Sequence, residues 1–168
     1  GYRHIDTAGI YRNENDVRLG IKASSVPREE VFVVSKAWNS DHGFDKTIKA
    51  FERSLANLQM DYLDLYLVHW PVVGKYKETW RAMEELYKQG RVRAIGVCNF
   101  LKHQLEDLME NAEVIPMVNQ MEFHPYLVQQ ELIDFCQLHD IQVSLKFLEQ
   151  PNLPSTTIGP RNVRRPKV

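Results

Sequence analysis

Apolar runs of strand length alternate with amphipathic stretches of helix length along most of this chain, and few folds accept that alternation. The stretch LDLYLVHWP, residues 63–71, sets the pattern. It is a nearly unbroken apolar run with polar residues before it and a proline at its end. Such a run reads as a strand buried on both faces of a parallel sheet. The spacing predicts further strands over 3–6, 31–35, 92–97, 116–121 and 141–147. Between them it predicts helices over 14–23, 45–58, 78–88, 101–111 and 129–139, with Asp45 as an N-cap and Gly90 as a C-terminal stop. The reading is therefore α/β, with six strands and five helices.

Strict alternation implies right-handed βαβ units in one parallel sheet, which is either open and doubly wound or closed into a barrel. An open sheet with a dinucleotide site should carry GxGxxG after its first strand, and that motif is absent. The regular units fit an incomplete (β/α)8 TIM barrel, whose full form takes about 250 residues. Two strands are expected to lie outside the sequence, which also begins without methionine. Residues 1–147 are expected to form the partial barrel. Residues 148–168, proline-rich and basic with no periodicity, are expected to form a disordered tail.

Composition narrows the partners. The formal net charge is −1, and Lys/Arg cluster only in the last few residues, so neither nucleic acid nor an anionic membrane is an expected partner. No apolar segment is long enough to span a bilayer. Cys98 and Cys136 show no CxxC spacing and read as free thiols of a reducing compartment, so the expected location is the cytoplasm. No metal site is expected.

In α/β folds ligands gather at the carboxyl ends of the strands. Asp6, Lys36, His69, Asn99 and Gln120 stand at five successive strand ends. Taken singly, Asp6 could be a helix cap, Lys36 a solvated strand end, His69 a hydrogen-bonded core histidine, and Asn99 and Gln120 loop amides. Together they suit reduction of a carbonyl by hydride, in which the oxygen must gain a proton as hydride reaches carbon. Tyr11 could give that proton, or could be a core aromatic. A nearby Lys36 would lower the phenol pKa, Asp6 would orient Lys36, and His69 would donate a hydrogen bond to the developing alkoxide. Trp38 and Trp70 either line the pocket or pack the barrel.

The motifs GYRHIDTAGIYRNE, VVSKAWN, LDLYLVHWP, AIGVCNF and VNQMEFHPYL, taken in order, resemble those of the aldo-keto reductase family from Gly1 to about Val143. The resemblance implies an oxidoreductase that reduces aldehydes and ketones with NADPH, NADH not being excluded. It implies a catalytic tetrad of Asp6, Tyr11, Lys36 and His69, with Tyr11 as proton donor. It also implies that Asn99 and Gln120 hold the nicotinamide carboxamide, with Asp6 and Cys98 beside them. The short connection PVVGKYKE resembles the compact microbial type, which includes glyoxal, methylglyoxal and diketogluconate reductases and prostaglandin F synthases. Small dicarbonyls are then the expected substrates, with His69, Trp38 and Trp70 against them, and the chain is expected to be a monomer unless exposed barrel edges drive association.

The chain departs from the family pattern in three places. Cys98 replaces the usual serine, Lys146 stands where an aromatic should stack on the nicotinamide, and no IPKS-type phosphate segment follows. The alternative expectation is an inactive fragment or interaction module of such an enzyme.

Overall fold

The computed structural model describes residues 1–146. The expected tail, and Phe147 at the end of the last strand, lie outside them. Six strands, β1 (His4–Asp6), β2 (Phe32–Ala37), β3 (Leu65–Val68), β4 (Ile95–Cys98), β5 (Val118–Glu122) and β6 (Gln142–Lys146), form one sheet in sequential order. Every neighbouring pair is parallel. Five helices connect them: α1 (Glu14–Ala23), α2 (Phe44–Leu58), α3 (Tyr76–Lys88), α4 (Lys102–Met109) and α5 (Gln130–Leu138). The predicted alternation is present with ends shifted by a few residues.

The sheet is curled, and one side-chain contact shows how strongly. Strands lie about 4.8 Å apart, so in a flat sheet β1 and β5 would stand about 19 Å apart. Yet Gln120 Nε2 on β5 donates to Asp6 Oδ2 on β1 over 2.6 Å. The fold is a half-barrel of the TIM type.

Alternation of side chains along each strand divides the core between the two faces of the sheet. On the concave face Val34, Leu65, Leu67, Cys98 and Val118 pack together. On the outer face Val33, Tyr66, Val68, Ile95 and Val97 meet the helices through Phe51, Leu55, Trp80, Met83, Leu86 and Leu105. A fully buried side chain of this size contributes about 1.5–3 kcal/mol. The helical spacing of Phe51, Leu55 and Leu58 on α2 and of Trp80 and Met83 on α3 is thus what fastens these helices to the sheet.

Two buried carboxylates on the outer face are paired. Glu14, 3% exposed, accepts from Ser35 Oγ at 2.8 Å and Asn57 Nδ2 at 2.9 Å, tying α1 to β2 and α2. Glu84 on α3 accepts from the backbone N–H of Glu113 and Val114 at 2.7 and 2.8 Å, and Trp80 Nε1 donates to the Val114 carbonyl at 3.0 Å. At the amino end of the strands Asp64, 2% exposed, accepts from Val33 N, Arg28 and Arg93. Both guanidinium groups lie over the Tyr62 ring, at 4.2 and 4.4 Å.

Two cap assignments separate. Gly90, with φ of 70°, follows the last turn of α3, and the left-handed conformation suits glycine. Asp45 is not the N-cap of α2. Gly43 is, at φ 106°, because its N–H is held by Thr79 Oγ1 at 2.9 Å and the helix begins one residue earlier than the apolar pattern indicates. Three short 3-10 turns, Gly9–Tyr11, Arg28–Glu30 and Asn39–Asp41, are new.

Gly96 on β4 has a packing reason. A Cβ there would meet the Val118 carbonyl at 2.5 Å and Leu67 Cδ2 at 2.9 Å. Gly96→Ala is expected to force β4 and β5 apart and to destabilise the fold by about 1–3 kcal/mol, as overpacking does. Urea unfolding of the two chains at one pH measures the difference.

Candidate active site

The carboxyl ends of the strands bring together all seven residues expected to carry the chemistry or the cofactor contacts. Lys36, 2% exposed, lies in the last turn of the β2 pleat, and its ammonium donates to Asp6 Oδ1 and to the Thr7 carbonyl, the latter at 3.0 Å. Asp6 thus accepts from Lys36 on one oxygen and from Gln120 on the other. A buried lysine held by one carboxylate and one carbonyl keeps a fixed position.

Tyr11 ends the first 3-10 turn and is 50% exposed, so it is not a core aromatic. Its ring lies 5.3 Å from Lys36 Nζ and edge-on to His69 at 5.8 Å between centroids. The expected lowering of its pKa by Lys36 is not found. Burial and then the Asp6 carboxylate raise the phenol above its ordinary value, with Lys146 opposing them. The physical reason is that desolvation and the Asp6 carboxylate both favour the neutral phenol and together outweigh the nearby ammonium charge. At neutral pH Tyr11 therefore carries its proton.

His69 follows β3 directly. Its backbone N–H donates to the Ala37 carbonyl at 3.1 Å, and its ring packs edge-on against Trp38 at 5.0 Å. Burial, with Lys36 and Lys146 nearby, lowers its pKa to about 4, so the imidazole is neutral at physiological pH. Its Nδ1 is buried without a hydrogen-bond partner among the described residues. Trp70 is 43% exposed, with Lys146 Nζ 5.4 Å from its ring centroid. Neither tryptophan is buried as barrel packing.

The two amides stand side by side. Asn99, at φ 64° just beyond β4, donates to the His69 carbonyl at 2.9 Å and to Cys98 Sγ at 3.2 Å. Cys98 Sγ also lies 3.6 Å from Gln120 Oε1. Cys98 itself is fully buried, and burial pushes its thiol up to about 11, so it stays protonated and holds both amides without reaching the pocket. Asn99 Oδ1 has no partner among the described residues, and Gln120 Oε1 has only the weak thiol contact. Two primary amides with acceptor oxygens to spare, beside a neutral imidazole and a phenol, fit a nicotinamide carboxamide.

Sequence reasoning missed His42, buried at 3% between β2 and α2, and the part played by the Thr7 carbonyl. Thr7 carried a cue, since it follows Asp6 directly. His42 carried none beyond its residue type. Among the described residues no group of three or more His, Cys, Asp and Glu could hold a metal ion, no helix is long and apolar enough to cross a membrane, and both cysteines are free.

Comparison with known proteins shows the family of the chain. The model of the aldo/keto reductase family matches residues 1–148. The chain is 61% identical over 143 residues to glyoxal reductase of Bacillus subtilis, covering 85% of the chain and 52% of that protein. It is 46% identical over 144 residues to a methylglyoxal reductase of Escherichia coli, covering 84% and 52%. Among solved structures, an aldo-keto reductase of Bombyx mori in complex with NADP superposes with a TM-score of 0.82 at 40% identity, covering 85% of this chain and 51% of that one. The chain spans about half the length of the curated relatives it matches.

The two buried histidines predict a pH dependence of stability. His69 and His42 both titrate near 4 when folded, against about 6.5 when unfolded. Above about pH 6.5 both are neutral in either state. Between about 6.5 and 4 the unfolded chain takes up protons that the folded chain refuses, so stability falls as pH falls. The urea midpoint should drop between pH 7 and pH 5, and His69→Gln should make that drop smaller.

Proposed function

The chain belongs to the aldo/keto reductase family, and on that premise we propose that its strand ends carry the carbonyl-reducing site of an NADPH-dependent oxidoreductase. The observation that carries the reading is the convergence of Asp6, Tyr11, Lys36 and His69 with two amides, from five different strand ends, on one mouth of the barrel. Asn99 and Gln120 would hold the carboxamide of the cofactor, with Cys98 and Asp6 fixing the two amides. When bound, the reduced nicotinamide supplies the hydride.

The protein's own residues divide the remaining work. Tyr11, protonated and accessible, gives its hydroxyl proton to the carbonyl oxygen. As that proton leaves, the ring oxygen gains negative charge that the Lys36 ammonium attracts, although the neutral phenol gains little from it. This difference lowers the barrier, because the interaction is stronger in the transition state than before it. Neutral His69 donates a hydrogen bond from Nε2 to the same oxygen and orients the carbonyl without competing as an acid. Trp38 and Trp70 flank the pocket.

Substrate size follows from the connection after β3. Only a few residues separate His69 from the start of α3 at Tyr76, so this side of the pocket has a low wall. Small dicarbonyls and simple aldehydes suit such an opening, in keeping with the names of the glyoxal and methylglyoxal reductases.

Fluorescence titration should show saturable micromolar binding of NADPH, with NADH weaker in parallel. Turnover of glyoxal should then fall by about two to four orders of magnitude in Tyr11→Phe, the usual share of a general acid, with NADPH affinity unchanged. Turnover unaffected by that change would overturn the role given to Tyr11. A folded chain that binds neither cofactor would overturn the reductase reading for this chain.

A further inference from the structure

The phenol that gives up a proton must sit at a fixed distance from the ammonium that stabilises its charge, yet Tyr11 lies in a turn of only three residues. Two backbone hydrogen bonds close that turn, Tyr11 N–H to the Ala8 carbonyl at 2.9 Å and Arg12 N–H to the Gly9 carbonyl at 3.3 Å. The geometry of 3-10 hydrogen bonds is poor. Arg12, which follows, is left-handed at φ 56°, and a residue other than glycine keeps that conformation only where its surroundings enforce it. What holds the two flanks of the turn therefore decides where Tyr11 stands.

Thr7 holds the near flank. It is fully buried, and each of its polar groups is engaged. Its backbone N–H donates to the Val34 carbonyl at 2.9 Å, and its carbonyl accepts from Lys36 Nζ at 3.0 Å. Its hydroxyl donates to Asn13 Oδ1 at 2.6 Å, reaching across the whole turn to the residue on the far side. This is the one side-chain hydrogen bond of Asn13 among the described residues. Directly after Asn13, Glu14 accepts from Ser35 Oγ at 2.8 Å. Two adjacent residues of β2 thus grip both flanks, Lys36 through the Thr7 carbonyl and Ser35 through Glu14. The residue that receives the ammonium also closes the loop that carries the phenol.

We propose that Thr7 is a positioning residue for Tyr11, its hydroxyl clamping the turn through Asn13 while its carbonyl holds Lys36. Without the hydroxyl the turn keeps its Glu14 anchor but loses its closure, and the phenol is no longer held at one distance from the ammonium. A general acid works only within hydrogen-bond reach of the atom it protonates. The hydroxyl bonds to neither Asn99 nor Gln120, so its loss falls on the chemical step and not on cofactor binding. The effect on turnover rests on the proton-donor reading of Tyr11, whereas the clamp itself does not.

Thr7→Val removes the hydroxyl and leaves the carbonyl to Lys36, and Thr7→Ser keeps both. In turnover of glyoxal with NADPH the Val variant should lose about tenfold to a hundredfold in kcat, the usual cost of a small misplacement, with KM and NADPH affinity unchanged. The Ser variant should recover most of it. Amide hydrogen exchange, followed by NMR without substrate, should quicken about tenfold at Tyr11 and Arg12 in the Val variant, as loss of one hydrogen bond allows. It should return in the Ser variant, with the amides of β2 and β3 at wild-type rates throughout. Asn13 is on the surface, so Asn13→Ala, which removes the acceptor, should give the same two effects even if Thr7→Val does not fold. Wild-type kcat or unchanged Tyr11 exchange in these variants would sink the proposal, as would a Ser variant no better than the Val variant. If no chain turns over, the reductase reading fails and the exchange rates alone decide the clamp.

Discussion

The carboxylate of Asp6 is the point on which the arrangement depends. It sits at the end of the first strand and accepts from Lys36 on the second and Gln120 on the fifth. A carboxylate with two charge-assisted or short contacts on separate oxygens is fixed in both position and rotation. Through Lys36 it sets the charge near Tyr11, and through Gln120 it sets the curvature that brings the fifth strand to the first. The chemistry and the shape of the barrel mouth share one side chain.

The two ends of the sheet use charge differently. At the carboxyl end Lys36 is buried and Lys146 stands over Trp70, leaving positive charge near the pocket. At the amino end Asp64 is enclosed by Arg28 and Arg93, which stack on Tyr62, and both oxygens of the carboxylate are engaged. Groups that react must keep some capacity unused, whereas groups that hold strands together are better saturated. The same contrast separates Glu84, whose carboxylate caps two backbone N–H groups, from Asn99 and Gln120, which keep acceptor oxygens free.

Much of this was legible in the chain because its apolar periods are clean. Runs such as 65–68 and 95–98 are buried throughout, so strand and helix could be told apart without a partner. The strand-end rule then located Asp6, Lys36, His69, Asn99 and Gln120. The 3-10 turns were not legible, since three residues carry no period. The cap of α2 was misassigned to Asp45 because the side chain that fixes Gly43 is Thr79, on another helix. The direction of the Tyr11 shift was missed because it depends on how far the ring is buried and how near the Asp6 carboxylate lies, which no spacing reveals. His42 stayed hidden because a histidine in a loop looks the same whether it is solvated or enclosed.

The Asp6 to Gln120 contact also sets an order of assembly. The two residues are 114 positions apart, and a ribosome adding 5–20 residues per second would need about 6 to 23 s to cover that interval. During that time the nascent barrel can pair Asp6 with Lys36 but cannot bend its first strand toward a fifth that does not yet exist. The acid and base partners of the early strands are ready long before the mouth has its final width. The mouth takes its width only once β5 has been made, so its geometry reports that every strand through β5 has been placed.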